Sequence, residues 1–240
     1  MPNWTMNKIT CKKNVGDKIL EKTDNGYTFD FNKLIPMPDD LWLTAGSNES
    51  TSVASYYLSL TNKEQEILKN KLNNMKIYDD VTYWSKYEKD IDKFIKNPDK
   101  LKTVAETFNG GFEKNDNKIT DINELGKKYV ENILNYGFSQ WYDWCCEKWG
   151  TKWNVGEDVN VSYNPKTDKY EIQFYTAWSP PYGIIEEYAK ICPDEDFNWE
   201  YENEDYDGYH TLRKLNGKIM HYVSDYETEE DYDSEEDLEM

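Results

Sequence analysis

The order of strand and helix signals along the chain constrains its fold most strongly. The stretch NWTMNKIT, residues 3–10, is predicted to form a first strand. A long helical pattern covers residues 121 to about 148, with Gly137 as a candidate point for a kink or break. Two strands near residues 153–163 and 170–178 follow it. A further helix is predicted to begin at Ser179 as N-cap, ahead of a strand with alternating aromatic residues at 197–202. The chain therefore predicts strand, helix, strand, strand, helix and strand.

This order is that of a ferredoxin-like fold, an α+β βαββαβ sheet. We predict that residues 1–41 and 113–224 form this domain. Three helical patterns lie between its two parts, the first with capping-box spacing at Thr61 and Glu64, and predict a helical insertion after the first strand at residues 42–112. Asn216 and Gly217 predict the turn of an extra C-terminal hairpin.

Charge is distributed unevenly along the 240 residues. The net charge is −19, and residues 194–240 hold eighteen acidic residues against three basic ones, a net charge of −15. Such an excess disfavours nucleic acid as a direct ligand and favours either a basic partner or a charge that only keeps the protein soluble. Residues 225–240 contain ten acids and no base, and we predict an acidic disordered tail there.

A tryptophan-rich segment, WYDWCCEKWGTKWN, covers residues 141–154. Large aromatic faces at a helix end and on the next strands favour a structural aromatic cluster over a ligand cage, because a small sheet otherwise buries little apolar area. The predicted members of the cluster are Trp144, Trp149, Trp153 and Trp178. The ligand cage remains the alternative.

Patterns typical of catalysis, metal binding or cofactor binding are missing from the sequence. It contains no GxGxxG, GxxxxGK[ST] or GxSxG motif, and its two histidines and four scattered cysteines make a poor zinc set. Spacing does not support a nucleophile formed by Cys145 or Cys146 with His210 or His221. We expect no catalytic residue, metal site or cofactor, and hence no enzyme.

Neither a run of about 18 apolar residues nor the apolar segment of a signal peptide occurs in the sequence. We therefore expect a cytoplasmic protein that does not contact the membrane.

Four sequence stretches carry a family resemblance: MPNW at 1–4, FDFNKLIPMP at 29–38, WYDWCCEKWGTKWN at 141–154 and TAWSPP at 176–181. Together they resemble Api92-like phage and plasmid proteins, whose characteristic module is the YubB-type ferredoxin-like domain. Thr5 departs from the pattern, in which a cysteine follows MPNW. The resemblance implies the fold and a mobile-element context in a bacterial host, and it implies no chemistry.

This context and the charge predict a counter-defence protein of anti-CRISPR or anti-restriction type. Its acidic surface would mimic nucleic acid and inhibit a host protein with a basic groove, a CRISPR effector or a restriction enzyme. The predicted partner-binding residues are Glu200, Glu202, Glu204, Asp205, Asp207, Tyr201, Tyr206 and Tyr209.

Two alternatives remain open. One is a nucleotide-binding or small-ligand protein, or an enzyme, that uses a Trp-rich cleft between the insertion and the sheet. The other is direct RNA binding by Tyr175, Trp199 and Tyr201 on a sheet face, which the scarcity of basic residues around them disfavours.

Overall fold

The computed structural model describes residues 3–24, 26–156, 159–204, 208–215 and 218–224. The chain divides into two compact units. We call Met1–Pro36 with Cys145–Met240 the sheet unit, and Met37–Trp144 the helical unit.

Strands and helices alternate along the chain. The strands are β1 Trp4–Lys12, β2 Leu20–Thr23, β3 Gly26–Phe29, β4 Lys76–Tyr78, β5 Val81–Thr82, β6 Gly111–Glu113, β7 Asn117–Ile119, β8 Asn160–Asn164, β9 Lys169–Ala177, β10 Phe197–Asn203, β11 Tyr209–Leu215 and β12 Lys218–Ser224. The helices are α1 Lys13–Gly16, α2 Asn48–Ser59, α3 Asn62–Asn73, α4 Tyr83–Lys96, α5 Pro98–Glu106, α6 Ile122–Tyr136, α7 Trp141–Lys148 and α8 Tyr182–Ile191.

The sheet unit contains a six-stranded sheet in the order β12-β11-β10-β1-β9-β8. Every neighbouring pair in it is antiparallel. Within it, β10, β1, β9 and β8 occupy the positions of strands four, one, three and two of a ferredoxin-like sheet, so the predicted fold class is confirmed. β11 and β12 form the extra hairpin, with Leu215 paired to Lys218. The predicted turn residues Asn216 and Gly217 lie outside the described residues.

One face of this sheet is covered by aromatic packing. Tyr188 of α8 lies against Phe197 and Trp199 of β10, with ring centroids 4.9 and 6.3 Å apart. Phe29 of β3 and Phe31, in the 3-10 turn that follows, pack edge-on against Phe174 of β9. Alternation along β1, β9 and β10 buries every second side chain here and leaves the others on a second face, which we call the open face.

The helical unit has its own core. Its buried side chains come mainly from α2, α4 and α6. These three helices contribute Val53, Ala54, Tyr57, Tyr83, Trp84, Tyr87, Ile91, Phe94, Leu125, Tyr129, Val130 and Ile133. The predicted capping box opens α3: Thr61 Oγ1 accepts a hydrogen bond from the Glu64 amide, and the Glu64 carboxylate accepts one from the Thr61 amide. Among the described residues, no helix is long and apolar enough to cross a membrane.

The helix predicted for residues 121–148 is two helices. Gly137 ends α6 with a left-handed backbone (φ 79°), a conformation that glycine adopts at little cost. The apolar stripe of α6 then packs in the helical unit, so this unit spans Met37–Trp144 rather than residues 42–112. Ser179 does not cap α8: Pro181 precedes that helix, and Ser179 Oγ donates to the Gly150 carbonyl instead. The predicted tail lies outside the described residues.

Candidate functional site

The structure divides the tryptophan-rich segment between core and surface. Trp149 is 1% exposed, its indole Nε1 donates to the Ile35 carbonyl over 2.9 Å, and its ring lies 5.7 Å from that of Phe31. Trp144, in α7, is also buried. These two residues are structural, as the sequence predicted.

Trp153 and Trp178 are not core residues, and that part of the predicted cluster is wrong. They are 36% and 47% exposed. Trp153 precedes β8 and so does not take part in its alternation. Trp178 follows β9 with a left-handed backbone (φ 74°), which takes it out of the alternation of that strand. The ammonium of Lys152 lies 4.3 Å from the ring centroid of Trp153 and 4.6 Å from that of Trp178.

An aromatic pocket of about 570 Å³ adjoins Trp153, within the sheet unit. The Trp4 and Trp153 ring centroids are 6.1 Å apart with planes inclined by 42°. Trp4 and Tyr175 reach the pocket from the open face because each alternates with buried neighbours on its strand. The residues that line the pocket are Trp4, Trp153, Asn154, Gly156, Tyr175 and Glu204.

Glu204 supplies the carboxylate of this aromatic pocket. Asn203 pairs with Thr5, so the next residue, Glu204, comes beside Trp4. Sequence patterns pointed to Trp153 and Glu204 for separate reasons, but they did not predict the role of Trp4. Strand pairing across 170 residues of chain brings it to Tyr175, and only the apolar MPNW segment ahead of alternating residues hinted at it.

The other predicted partner-binding residues differ in exposure and in the face of the sheet on which they lie. Glu200 and Glu202 are half-buried on the open face, and Tyr209 is exposed. Tyr201 is 2% exposed on the covered face, so its predicted role as a partner contact is wrong. The prediction failed because Glu200 and Glu202, not the aromatic residues of β10, alternate toward the open face. Asp205, Tyr206 and Asp207 lie outside the described residues.

Trp199 is likewise buried on the covered face, so Tyr175, Trp199 and Tyr201 do not form the shared RNA-binding surface that the sequence left open. Of its members, Tyr175 alone reaches the open face.

Charges on the open face are mixed. Basic side chains from four strand positions (Lys8, Lys12, Lys169 and Arg213) accompany Glu171, Glu200 and Glu202. Lys8 pairs with Glu171 at 3.7 Å and lies opposite Glu200. Glu202 and Glu204 follow at the end of β10, beside the aromatic pocket.

Both histidines of the chain lie in the extra hairpin. His210 Nδ1 and His221 Nε2 are 3.1 Å apart, and the His210 ring stacks on Tyr201 at 4.5 Å. Tyr201 also exchanges a hydrogen bond with the Tyr182 hydroxyl over 2.6 Å. Through these contacts the two histidines join the extra hairpin to Tyr201 of β10, on the covered side of the sheet. Among the described residues, no three histidine, cysteine or acidic side chains are grouped to hold a metal ion.

The helical unit contains a polar cavity of about 540 Å³. Both of its lysines are paired with carboxylates of its lining: Lys114 with Asp39 at 2.6 Å, and Lys128 with Glu113 at 2.7 Å. A ligand would have to displace these pairs, so the aromatic pocket is the better candidate for binding.

A match to one protein family model supports the fold assignment. Residues 148–240 match the model of the ferredoxin-like domain in Api92-like protein. The resemblance predicted from the sequence is thereby confirmed. A crystal structure of the protein api92 from Yersinia pseudotuberculosis is similar over 94% of this chain and 99% of that one, at 10% identity and a TM-score of 0.42. No curated protein sequence matches the chain significantly.

The match to the Api92-type domain includes most of the aromatic pocket. Trp153, Tyr175 and Glu204 fall within residues 148–240, whereas Trp4 belongs to β1, outside the matched segment. The pocket thus needs the N-terminal strand to be complete.

Proposed function

We propose that this protein is a non-catalytic counter-defence protein that binds and inhibits a nucleic-acid-targeting machine of a bacterial host. A CRISPR effector or a restriction enzyme is the expected target, because both expose basic grooves. The net charge of −15 on residues 194–240 supports a basic partner, and the resemblance to Api92-like proteins supplies the mobile-element context.

The carboxylates beside the aromatic pocket, half-buried Glu202 and exposed Glu204, carry this proposal. Glu202 and Glu204 stand at the end of β10, next to the exposed rings of Trp4 and Tyr175. Carboxylates accelerate encounter with a basic surface, and aromatic rings supply the contact area that charge alone does not. The aromatic pocket lies at this end of the sheet, so we place the contact there and not along all of the open face.

Affinity capture tests the proposal. The protein is immobilised, exposed to host lysate at low salt, and the retained proteins are identified; each retained nuclease is then assayed with and without the protein. We expect a nucleic-acid enzyme that is released by high salt and inhibited by the protein. Retention of no such enzyme at low salt contradicts the proposal.

The volume of the aromatic pocket favours a second candidate, a small-ligand binding protein. Its size suits a nucleotide or similar ligand. Glu204 disfavours phosphate, however, because the two would repel each other at close range. Titration with nucleotides and cyclic dinucleotides, followed by tryptophan fluorescence, separates the candidates. A saturable change in fluorescence that is abolished by Trp153→Ala, in a variant that remains folded, favours the small-ligand binding protein.

A further inference from the structure

The aromatic pocket combines three exposed rings with one carboxylate. Trp4, Trp153 and Tyr175 are 39%, 36% and 49% exposed, which is unusual for side chains that normally bury most of their area. Their rings surround the same volume that Glu204 lines. Aromatic faces attract cations through the ring quadrupole, and a carboxylate adds direct charge attraction. The chemistry of the pocket therefore fits a cationic group.

The protein itself shows that a cation can rest on this aromatic surface. The Lys152 ammonium lies within 5 Å of the ring centroids of both Trp153 and Trp178. Lys152 thus occupies the slot between those two rings. The volume bounded by Trp4, Tyr175 and Glu204 is a separate opening that Lys152 does not line.

We propose that the aromatic pocket binds an arginine side chain of the protein partner. A guanidinium is planar, stacks on an indole or phenol face, and can donate two parallel hydrogen bonds to one carboxylate. The pocket offers both kinds of contact at once. Half-buried Met6 lies between Glu202 and Tyr175 in the strand register and so adds apolar surface to the open face beside the pocket.

This inference rests on the proposed function for the identity of the partner, but the pocket can be tested without one. The probes are N-acetyl-arginine amide, the corresponding lysine amide and the corresponding citrulline amide. Citrulline keeps the shape of arginine and removes its charge. Indole Nε1–H resonances are followed by NMR in the full chain, with Trp4→Phe and Trp153→Phe used to assign the two signals.

We expect the arginine amide to shift the Trp4 and Trp153 signals saturably, the lysine amide to bind several-fold more weakly, and the citrulline amide to cause no saturable shift. Glu204→Gln should weaken arginine binding about tenfold, the equivalent of about 1.4 kcal/mol. The matched control is Glu171→Gln, which removes one exposed carboxylate from the same face outside the pocket and should leave binding unchanged.

Three outcomes would overturn the inference: no saturable shift with the arginine amide, equal binding of citrulline or lysine, or equal loss in the Glu171→Gln variant. If the pocket binds arginine but no nucleic-acid enzyme is captured, the proposed function is wrong and the inference about the pocket stands. Conversely, inhibition of such an enzyme that Trp4→Ala and Glu204→Gln both leave intact would remove this inference and keep the function.

Discussion

Lys152 lies across the indole of Trp153, with 4.3 Å between its Nζ and the ring centroid, and lies 4.6 Å from the Trp178 centroid. An exposed contact of this kind contributes about 0.5–1 kcal/mol. Trp178 makes it from a left-handed backbone (φ 74°), which costs a residue other than glycine about 1–2 kcal/mol. The backbone strain at Trp178 is therefore at least as large as the stabilisation from its contact with Lys152.

The strain at Trp178 can be measured with two small substitutions. Trp178→Ala and Trp178→Gly both remove the contact with Lys152, but only glycine also relieves the backbone. We expect the glycine variant to unfold with a free energy about 1 kcal/mol higher than the alanine variant, the reverse of the usual order in a strand. Urea denaturation followed by circular dichroism measures the difference. An alanine variant at least as stable as the glycine variant would show that the position is not strained.

The division of the tryptophan-rich segment predicts unequal effects of truncation. Trp149→Ala should lower the free energy of unfolding by about 3–5 kcal/mol, because it removes a fully buried ring and its hydrogen bond to Ile35. Trp153→Ala, at an exposed ring, should lower it by about 1 kcal/mol or less. Chemical denaturation of both variants checks this. Equal losses would mean that Trp153 belongs to the core after all.

A buried carboxylate in the helical unit depends on one lysine. Glu49 is 5% exposed, pairs with Lys86 at 2.6 Å and accepts a hydrogen bond from the Tyr87 hydroxyl. Lys86→Met should destabilise the protein by about 3–5 kcal/mol, because it leaves the charge of Glu49 buried without its cation. Adding Glu49→Gln should recover part of the loss. A double variant as unstable as Lys86→Met would show that charge burial is not the cause.

Buried tyrosines should make the fold sensitive to alkali. Burial raises the pKa of Tyr87, with the Glu49 carboxylate adding to the effect, and burial also raises the pKa of Tyr188 and Tyr129. A raised folded-state pKa gives stability that is complete below the unfolded pKa of about 10 and is lost as the pH rises beyond it. Absorbance of phenolate at alkaline pH should therefore show late-titrating tyrosines that ionise together with unfolding. Smooth ionisation of all tyrosines in a folded protein would contradict this.

Two cysteine thiols should resist modification. Burial raises the pKa of Cys11 to about 11 and that of Cys145 to about 12, so both are protonated at pH 8, where the thiolate is the reactive form. We expect a disulfide reagent to modify them at measurable rates only after denaturation, as shown by the thiols titrated in the native and unfolded protein. Rapid modification of all four cysteines in the native state would refute the assignment.

Local patterns were sufficient to predict the capping box at Thr61 and the ferredoxin-like order, but the strand predicted near residues 153–163 begins only at Asn160. They failed where backbone conformation or tertiary contacts decide. Gly137 ends α6, so the predicted long helix belongs mostly to the helical unit. Trp178 has a left-handed backbone and therefore does not continue the alternation of β9. Tyr201 faces inward, where Tyr182 and His210 cover it. The aromatic pocket could not be predicted from any one segment, since Trp4, Trp153 and Glu204 meet only in the folded sheet unit.

Inhibition of the captured nuclease by charge-matched variants tests the central claim most directly. One variant carries Glu200→Gln, Glu202→Gln and Glu204→Gln at the proposed contact. The control carries Glu66→Gln, Glu88→Gln and Glu106→Gln, exposed positions of the helical unit that change the net charge equally. We expect the first variant to lose inhibition and the salt dependence of binding, with its fold and stability retained, and the control to inhibit like the unmodified protein. Full inhibition by the first variant, or equal loss in both, would contradict the account.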